Sequence, residues 1–128
     1  MPKIVFKGTV FSGKGEGRKF IELKWVKRQI EDKLGFTPYN GTLNIRLSNE
    51  STKNKKLLKN NEHFEISPEK GYCTGELIKA SIICLEGAII LPQVESYPSD
   101  VLEVIASVCL RERLKIVDGD AVTVTVDV

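Results

Sequence analysis

Short runs rich in Val, Ile, Phe and Thr, each stopped by glycine, proline or a polar turn, dominate this chain and constrain it to a sheet of many short strands. Ile4 to Phe11 ends at Ser12-Gly13, Phe20 to Leu23 reads as a continuation of the sheet, and Gly41 opens a strand through Leu47. Phe64 to Ile66, Tyr72 to Thr74 and Leu77 to Leu85 follow. Glu86-Gly87 then turns into Ala88 to Leu91, and Ala121 to Val128 alternates as the last strand after the tight turn Asp118-Gly119. Helical period is clearest from Trp25 to Leu34, where Val26, Ile30 and Leu34 form one stripe and Gly35 stands ready to cap it. Ser99-Asp100 predicts the start of a short helix carrying Val101, Leu102 and Ile105, and Leu110 to Leu114 predicts a further helical turn. The polar stretch Ser48 to His63 reads as a loop solvated by Lys53, Lys55, Lys56 and Lys59. Strands in this number with so little helix imply a mainly β fold with some α, a small barrel with helices outside it.

At 128 residues the chain is expected to form one domain spanning 1–128, and no apolar run approaches the roughly 20 residues that cross a bilayer. Its start lacks the apolar region of a signal peptide, so a cytoplasmic protein without membrane partners is expected. Cys73, Cys84 and Cys109 are odd in number and widely spaced, which favours buried thiols over disulfides or a zinc site. Charge is unevenly spread: residues 1 to 60 hold 14 Lys and Arg against 5 Asp and Glu, and residues 61 to 128 hold 5 against 12. The net +2 therefore conceals a basic half that would suit a polyphosphate.

Within that half, Gly13 to Arg18 places three glycines among Lys14, Arg18 and Lys19. Glycine reaches positive φ at little cost, so such a loop can turn its N–H groups toward an anion. The spacing matches neither the Walker pattern nor the dinucleotide fingerprint, and no helical pattern begins at once behind it. Further on, Gly41-Thr42-Leu43-Asn44 puts Thr42 and Asn44 at i and i+2 of a strand, on one face. Two neutral oxygens side by side suit Mg²⁺, which prefers hard ligands and keeps waters and substrate phosphates for the rest of its shell, and they equally make the hydrogen-bonded edge pair that Thr and Asn more often form on a strand.

Taken in order, Gly8-Thr-Val-Phe-Ser-Gly-Lys-Gly-Glu-Gly-Arg-Lys-Phe20, Leu34-Gly-Phe-Thr-Pro-Tyr-Asn-Gly-Thr-Leu-Asn44, Leu102-Glu-Val-Ile-Ala106, and Leu110-Arg-Glu112 with Asp118-Gly-Asp120 resemble the archaeal CTP-dependent riboflavin kinases nearly end to end. The resemblance implies a six-stranded cradle-loop-type β-barrel with one longer and one or two short helices, which transfers a phosphoryl group from CTP to riboflavin and releases FMN and CDP. It implies that Lys14, Gly15, Glu16, Gly17, Arg18 and Lys19 wrap the nucleotide and that Val108, Cys109, Leu110 and Arg111 form the opposing wall. By the same resemblance Thr42 and Asn44 hold Mg²⁺ and Glu103 contacts the flavin. The chain departs from the pattern at Glu95, where a flavin-contacting threonine is usual and Ser96 is a possible substitute, and at Ser107, where a proline is usual.

Elsewhere the chain offers no nucleophile constellation, since its single histidine, His63, lies in the polar stretch. Direct in-line transfer is therefore expected, with no general base assigned. Two other readings remain at this point. One is a DNA-binding barrel regulator that uses the basic half, although no aromatics interleave its lysines and no nucleic acid is expected. The other is a nucleotide-binding module without catalysis.

Overall fold

The computed structural model describes residues 3–13, 15–60, 63–67, 75–92 and 97–127, with the backbone alone described at 16, 17, 59 and 60. Strands β1 (Lys3–Phe11), β2 (Leu43–Leu47), β3 (Phe64–Ile66), β4 (Gly75–Ile82), β5 (Leu85–Pro92), β6 (Val101–Ile105) and β7 (Ala121–Asp127) form one antiparallel sheet in the order β3-β4-β5-β6-β2-β1-β7. Pairing of Ser81 with Thr125 and Ile82 with Val124 joins β4 to β7. Six strands thereby close into a barrel and β3 extends it as an extra strand on β4. The strand run expected at Tyr72 to Thr74, with Cys73, lies outside the described residues.

Alternation decides which face of each strand turns inward. Ile4, Phe6 and Val10 of β1, Leu43, Ile45 and Leu47 of β2, and Val122, Val124 and Val126 of β7 are all buried in the same interior cluster. Each such burial stabilises by about 1.5–3 kcal/mol, and a one-residue slip would turn the whole set to water. A second apolar layer lies outside the ring. Helices α1 (Glu16–Glu22) and α2 (Lys24–Leu34) bury Ile21, Val26 and Ile30 against Leu77, Ala88, Ile90 and Ile105 on the outer face of β4, β5 and β6. As expected, Gly35 ends α2, with φ 79.

Four expectations fail, each for a physical reason. Phe20 to Leu23 is not strand, and a helix does begin, inside the glycine run itself: Gly15 adopts φ 83 at the N-cap and α1 starts at Glu16. Glycine lowers helix propensity and hid this short element, which is held instead by packing of fully buried Ile21. Val101 to Ile105 is strand β6, not helix. Covered on both faces, it is buried at every residue and shows no alternation for the sequence to reveal. Ser48 to His63 is not a loop throughout: α3 (Asn49–Asn54) and a 3-10 segment (Lys55–Asn60) occupy it. α3 is anchored by polar groups rather than an apolar stripe, with Ser51 Oγ accepting from Lys7 N at 2.7 Å and Asn54 Nδ2 donating to Val5 O at 3.0 Å, and the 3-10 segment buries the single apolar Leu58 in the interior cluster. Finally, the hairpin turn falls at Ile83-Cys84, not Glu86-Gly87, so Cys84 is exposed and Cys109 only partly covered. Among the described residues no helix is long and apolar enough to cross a membrane.

Candidate functional site

A cross-strand row builds the site. Phe11 pairs with Asn44, Asn44 with Glu103, and Glu103 with Ile90, so β1, β2, β6 and β5 each contribute one residue to a single line across the sheet. Leu43, Ile45, Leu102 and Val104 alternate with this row and point into the barrel, which places the row on the outer face. Over it opens a cavity of about 690 Å³. Gly13, Gly15 and Arg18 line it from the glycine loop and α1, and Val108, Cys109, Leu110 and Arg111 line it from the segment that enters α4 (Leu110–Leu114).

Glu103 is the charged centre, only 9% exposed, and both its oxygens are engaged. Thr42 Oγ1 donates to its Oε1 at 3.0 Å and Tyr97 OH donates to its Oε2 at 2.7 Å. Burial and the adjacent carboxylate push the Tyr97 phenol well above the ordinary tyrosine value, so it remains a hydrogen-bond donor. Lys55 sits 5.5 Å from the centre of the Tyr97 ring and donates to Val101 O at 3.0 Å; burial lowers its pKa. It is therefore a packed side chain and not one of the solvating lysines.

The glycine loop meets the oxygen pair directly. Hydrogen bonding among the protein's own groups orients the Asn44 amide so that Nδ2 donates to Glu103 Oε1 at 3.2 Å and Oδ1 accepts from Gly13 N at 3.2 Å. A Cβ on Gly13 would lie 2.6 Å from that amide, so glycine is what permits the approach. Below the loop, Arg111 Nη2 donates to Phe11 O at 3.1 Å and to Asp118 Oδ1 at 2.7 Å, while Ser12 Oγ donates to Asp118 Oδ2 at 2.7 Å. The hydrogen bonds from Ser12 and Arg111 hold the Asp118 carboxyl below the usual carboxylate range.

Among the described residues no three His, Cys, Asp or Glu side chains group into a metal site. Thr42 Oγ1 and the Asn44 amide lie beside one carboxylate and carry two neutral oxygens, the amide's reaching the carboxylate when the group turns end for end; that set nevertheless fits a hard divalent cation that draws its remaining ligands from phosphate and water. Thus Gly15, Arg18, Thr42, Asn44, Glu103, Val108, Cys109, Leu110 and Arg111 come together around one cavity. Exposed Lys19 does not line it, the side chains of Glu16 and Gly17 are not described, and Lys14, Glu95 and Ser96 lie outside the described residues.

A family model for CTP-dependent riboflavin kinases, described as a domain of unknown function (DUF120), matches residues 10–126. The chain belongs to that family. It is 42% identical over 130 residues to a riboflavin kinase of Archaeoglobus fulgidus, covering 96% of this chain and 54% of that protein. Against a riboflavin kinase of Pyrobaculum aerophilum the figures are 40% over 126 residues, 93% and 59%, and against one of Ignicoccus hospitalis 39% over 127 residues, 96% and 71%. The chain spans little more than half the length of the first two relatives. The cross-strand row and the segments around it, from the glycine loop to Asp118, fall within the family match.

Sequence reasoning missed four of the residues that shape this site: Ser12, Arg46, Tyr97 and Asp118. Arg46 was within reach of the argument used for Thr42 and Asn44, since it continues the same alternation. It lies 4.7 Å over the Phe11 ring and pairs with Asp100 at 3.0 Å. Asp118 was noted as half of a turn and as part of the family resemblance, with no role at the site, and nothing in the order of residues shows its pairing with Arg111. Tyr97 carried no signal, because its partner Glu103 belongs to the strand that sequence periodicity took for a helix.

Proposed function

We propose that this chain transfers the γ-phosphoryl group of CTP to the 5′-hydroxyl of riboflavin with Mg²⁺, giving FMN and CDP. The observation that carries the reading is the contact between Gly13 N and the Asn44 amide, which joins an anion-cradling loop to a pair of hard oxygen ligands in one cavity. The nucleotide lies along the β1 side. Gly13 and Gly15 allow backbone to approach phosphate, Arg18 and Arg111 bring positive charge, and residues 108 to 111 form the facing wall. On the far side of Glu103 the row continues into Ile90, and Phe20, Pro92 and Val101 add apolar surface for the flavin ring. Strands about 4.8 Å apart set Phe11 and Ile90 about 14 Å from each other, so a polyphosphate and a ring can enter from opposite ends and meet over Asn44 and Glu103.

Thr42 and Asn44 would hold the cation, which when bound screens the negative charge of the phosphates against the incoming hydroxyl. The ribityl oxygen forms its bond to the γ-phosphorus as the bond to the β-phosphate bridging oxygen breaks, and the hydroxyl proton leaves to solvent or phosphate. Such transfer passes through a loose transition state, so alignment and charge are most of what the protein supplies. Arg111, braced by Asp118 and Phe11 O, is preorganised for that charge. Tyr39, whose phenol pKa is raised chiefly by its hydrogen bond with Cys109, stands at the same wall.

The test is chromatography of the purified protein with Mg²⁺, CTP and riboflavin. FMN and CDP are expected in equal amounts, and Thr42→Ala with Asn44→Ala should abolish them while leaving the melting transition intact. Unchanged riboflavin across several metals and nucleotides, or a fully active double variant, would refute the reading.

A further inference from the structure

Glu103 has an unexplained position for a group whose only duty is to touch a flavin. It is buried, it is the direct cross-strand partner of Asn44, and its Oε1 takes hydrogen bonds from both Thr42 and Asn44. Resting on the proposed function, we infer that Glu103 is the anionic member of the divalent-cation site: it orients the two neutral ligands and supplies the negative charge they lack.

Two geometric facts carry this. A threonine hydroxyl has one proton and two lone pairs. With the Thr42 proton committed to Glu103 Oε1 at 3.0 Å, both lone pairs face elsewhere and are free for a metal. The second fact concerns the Asn44 amide, one end of which lies 3.2 Å from Glu103 Oε1 and 3.4 Å from Thr42 Oγ1. Nδ2 at that end satisfies the protein's own hydrogen bonds. Turning the amide end for end brings Oδ1 to the same place and gathers three oxygens around one point, an arrangement that repels unless a cation sits among them. The reversal also takes from Gly13 N–H its acceptor, leaving that donor for a phosphate oxygen. Cation and glycine loop are coupled through one side chain.

Tyr97 is the positioning residue in this scheme. By donating to Oε2 at 2.7 Å it holds the carboxylate with Oε1 toward Thr42 and Asn44. Lys55 over its ring limits the phenol's freedom.

The experiment follows Mn²⁺ binding by electron paramagnetic resonance on the full chain, with and without CDP, in wild type, E103Q and the Thr42/Asn44 double alanine variant. E103Q retains shape and one acceptor oxygen but loses the charge and turns the other acceptor into a donor; it is expected to weaken Mn²⁺ about 10- to 100-fold, the usual effect of removing a group that orients metal ligands. Its affinity for CDP measured with metal chelated should stay at the wild-type value. If E103Q binds Mn²⁺ as wild type does while the double variant loses it, the inference fails and the Thr42/Asn44 site survives. If all three bind alike, or wild type takes up none, both fall. A second measurement guards against a misfolded variant: in wild type the Gly13 backbone amide resonance should shift on Mg²⁺ addition, and in E103Q it should shift much less at equal Mg²⁺. A Gly13 resonance indifferent to Mg²⁺ in wild type overturns the reversal of Asn44.

Discussion

Gly13→Ala isolates the contact on which the site depends. Gly13 does not need positive φ, so an alanine there is not strained by its own backbone. Its Cβ, however, would lie 2.6 Å from the Asn44 amide, about 0.8 Å inside the 3.4 Å where ordinary contact begins. One side must give, and the exposed loop and the Asn44 side chain are softer than the β1–β2 ladder beneath them. Under the proposed function, displacement by most of an ångström at this group should cost about 10²-fold in kcat/KM, close to 2.7 kcal/mol of transition-state stabilisation. Stability should barely change, within about 0.5 kcal/mol, since the residue is exposed and no core atom moves. Initial rates of FMN formation and thermal melts on the same preparations measure the two separately. A cycle with Asn44→Ala completes the argument: once the amide is gone, the alanine at 13 has nothing to strike, and its further cost should shrink to a few-fold or less. Wild-type kcat/KM in Gly13→Ala, or an undiminished penalty in the Asn44→Ala background, would refute the reasoning.

Gly15→Ala is the contrasting substitution. Nothing lies within 4 Å of its Cβ, but φ is 83, so it should lose about 1 kcal/mol of stability, read from the denaturant midpoint, rather than clash with the site. At Ile83 the chain holds a β-branched, exposed residue at φ 57 in a two-residue hairpin turn; Ile83→Gly should stabilise by about 1 kcal/mol, and a fall in midpoint would contradict this. Ser48 caps α3 by accepting from Ser51 N at 3.2 Å, and Ser48→Ala should cost about 1 kcal/mol in the same assay. Because the folded Asp118 carboxyl is held below its unfolded value, its stabilisation is complete above about pH 4 and is lost as pH falls through the folded value. The gap in melting temperature between wild type and Asp118→Asn should therefore be present near neutrality and close on acidification below the ordinary carboxylate range; a gap independent of pH would exclude the pairing.

Much of this protein was legible without coordinates, and the pattern of what was not is informative. β-Branched and aromatic composition with a Ser-Gly stop declared β1, an opening glycine declared β2, and alternation declared β7, whose odd and even positions lie on opposite sides of the barrel wall. α2 announced itself by one buried stripe and a glycine stop. β6 could not, since a strand covered on both faces carries no wet positions to mark its period, and that hid the burial of Glu103 as well as its bond to Tyr97. α1 and α3 escaped for the opposite reason: their helicity rests on contacts with the barrel and not on local propensity.

Residue order by itself determined the inventory: a glycine-rich basic loop, two neutral side-chain oxygens spaced to share a face, and strands enough for a small barrel. Barrel closure decided their meeting. Gly13 and Asn44 are separated along the chain, as are Asn44 and Glu103, and only the antiparallel registers of β1 with β2 and β2 with β6 bring them into contact. Hydrophobic pattern specifies which face of a strand is buried, a local property of alternating side chains; which strand becomes its neighbour depends on the whole interior packing at once, and the polar row on the outside inherits its geometry from that packing.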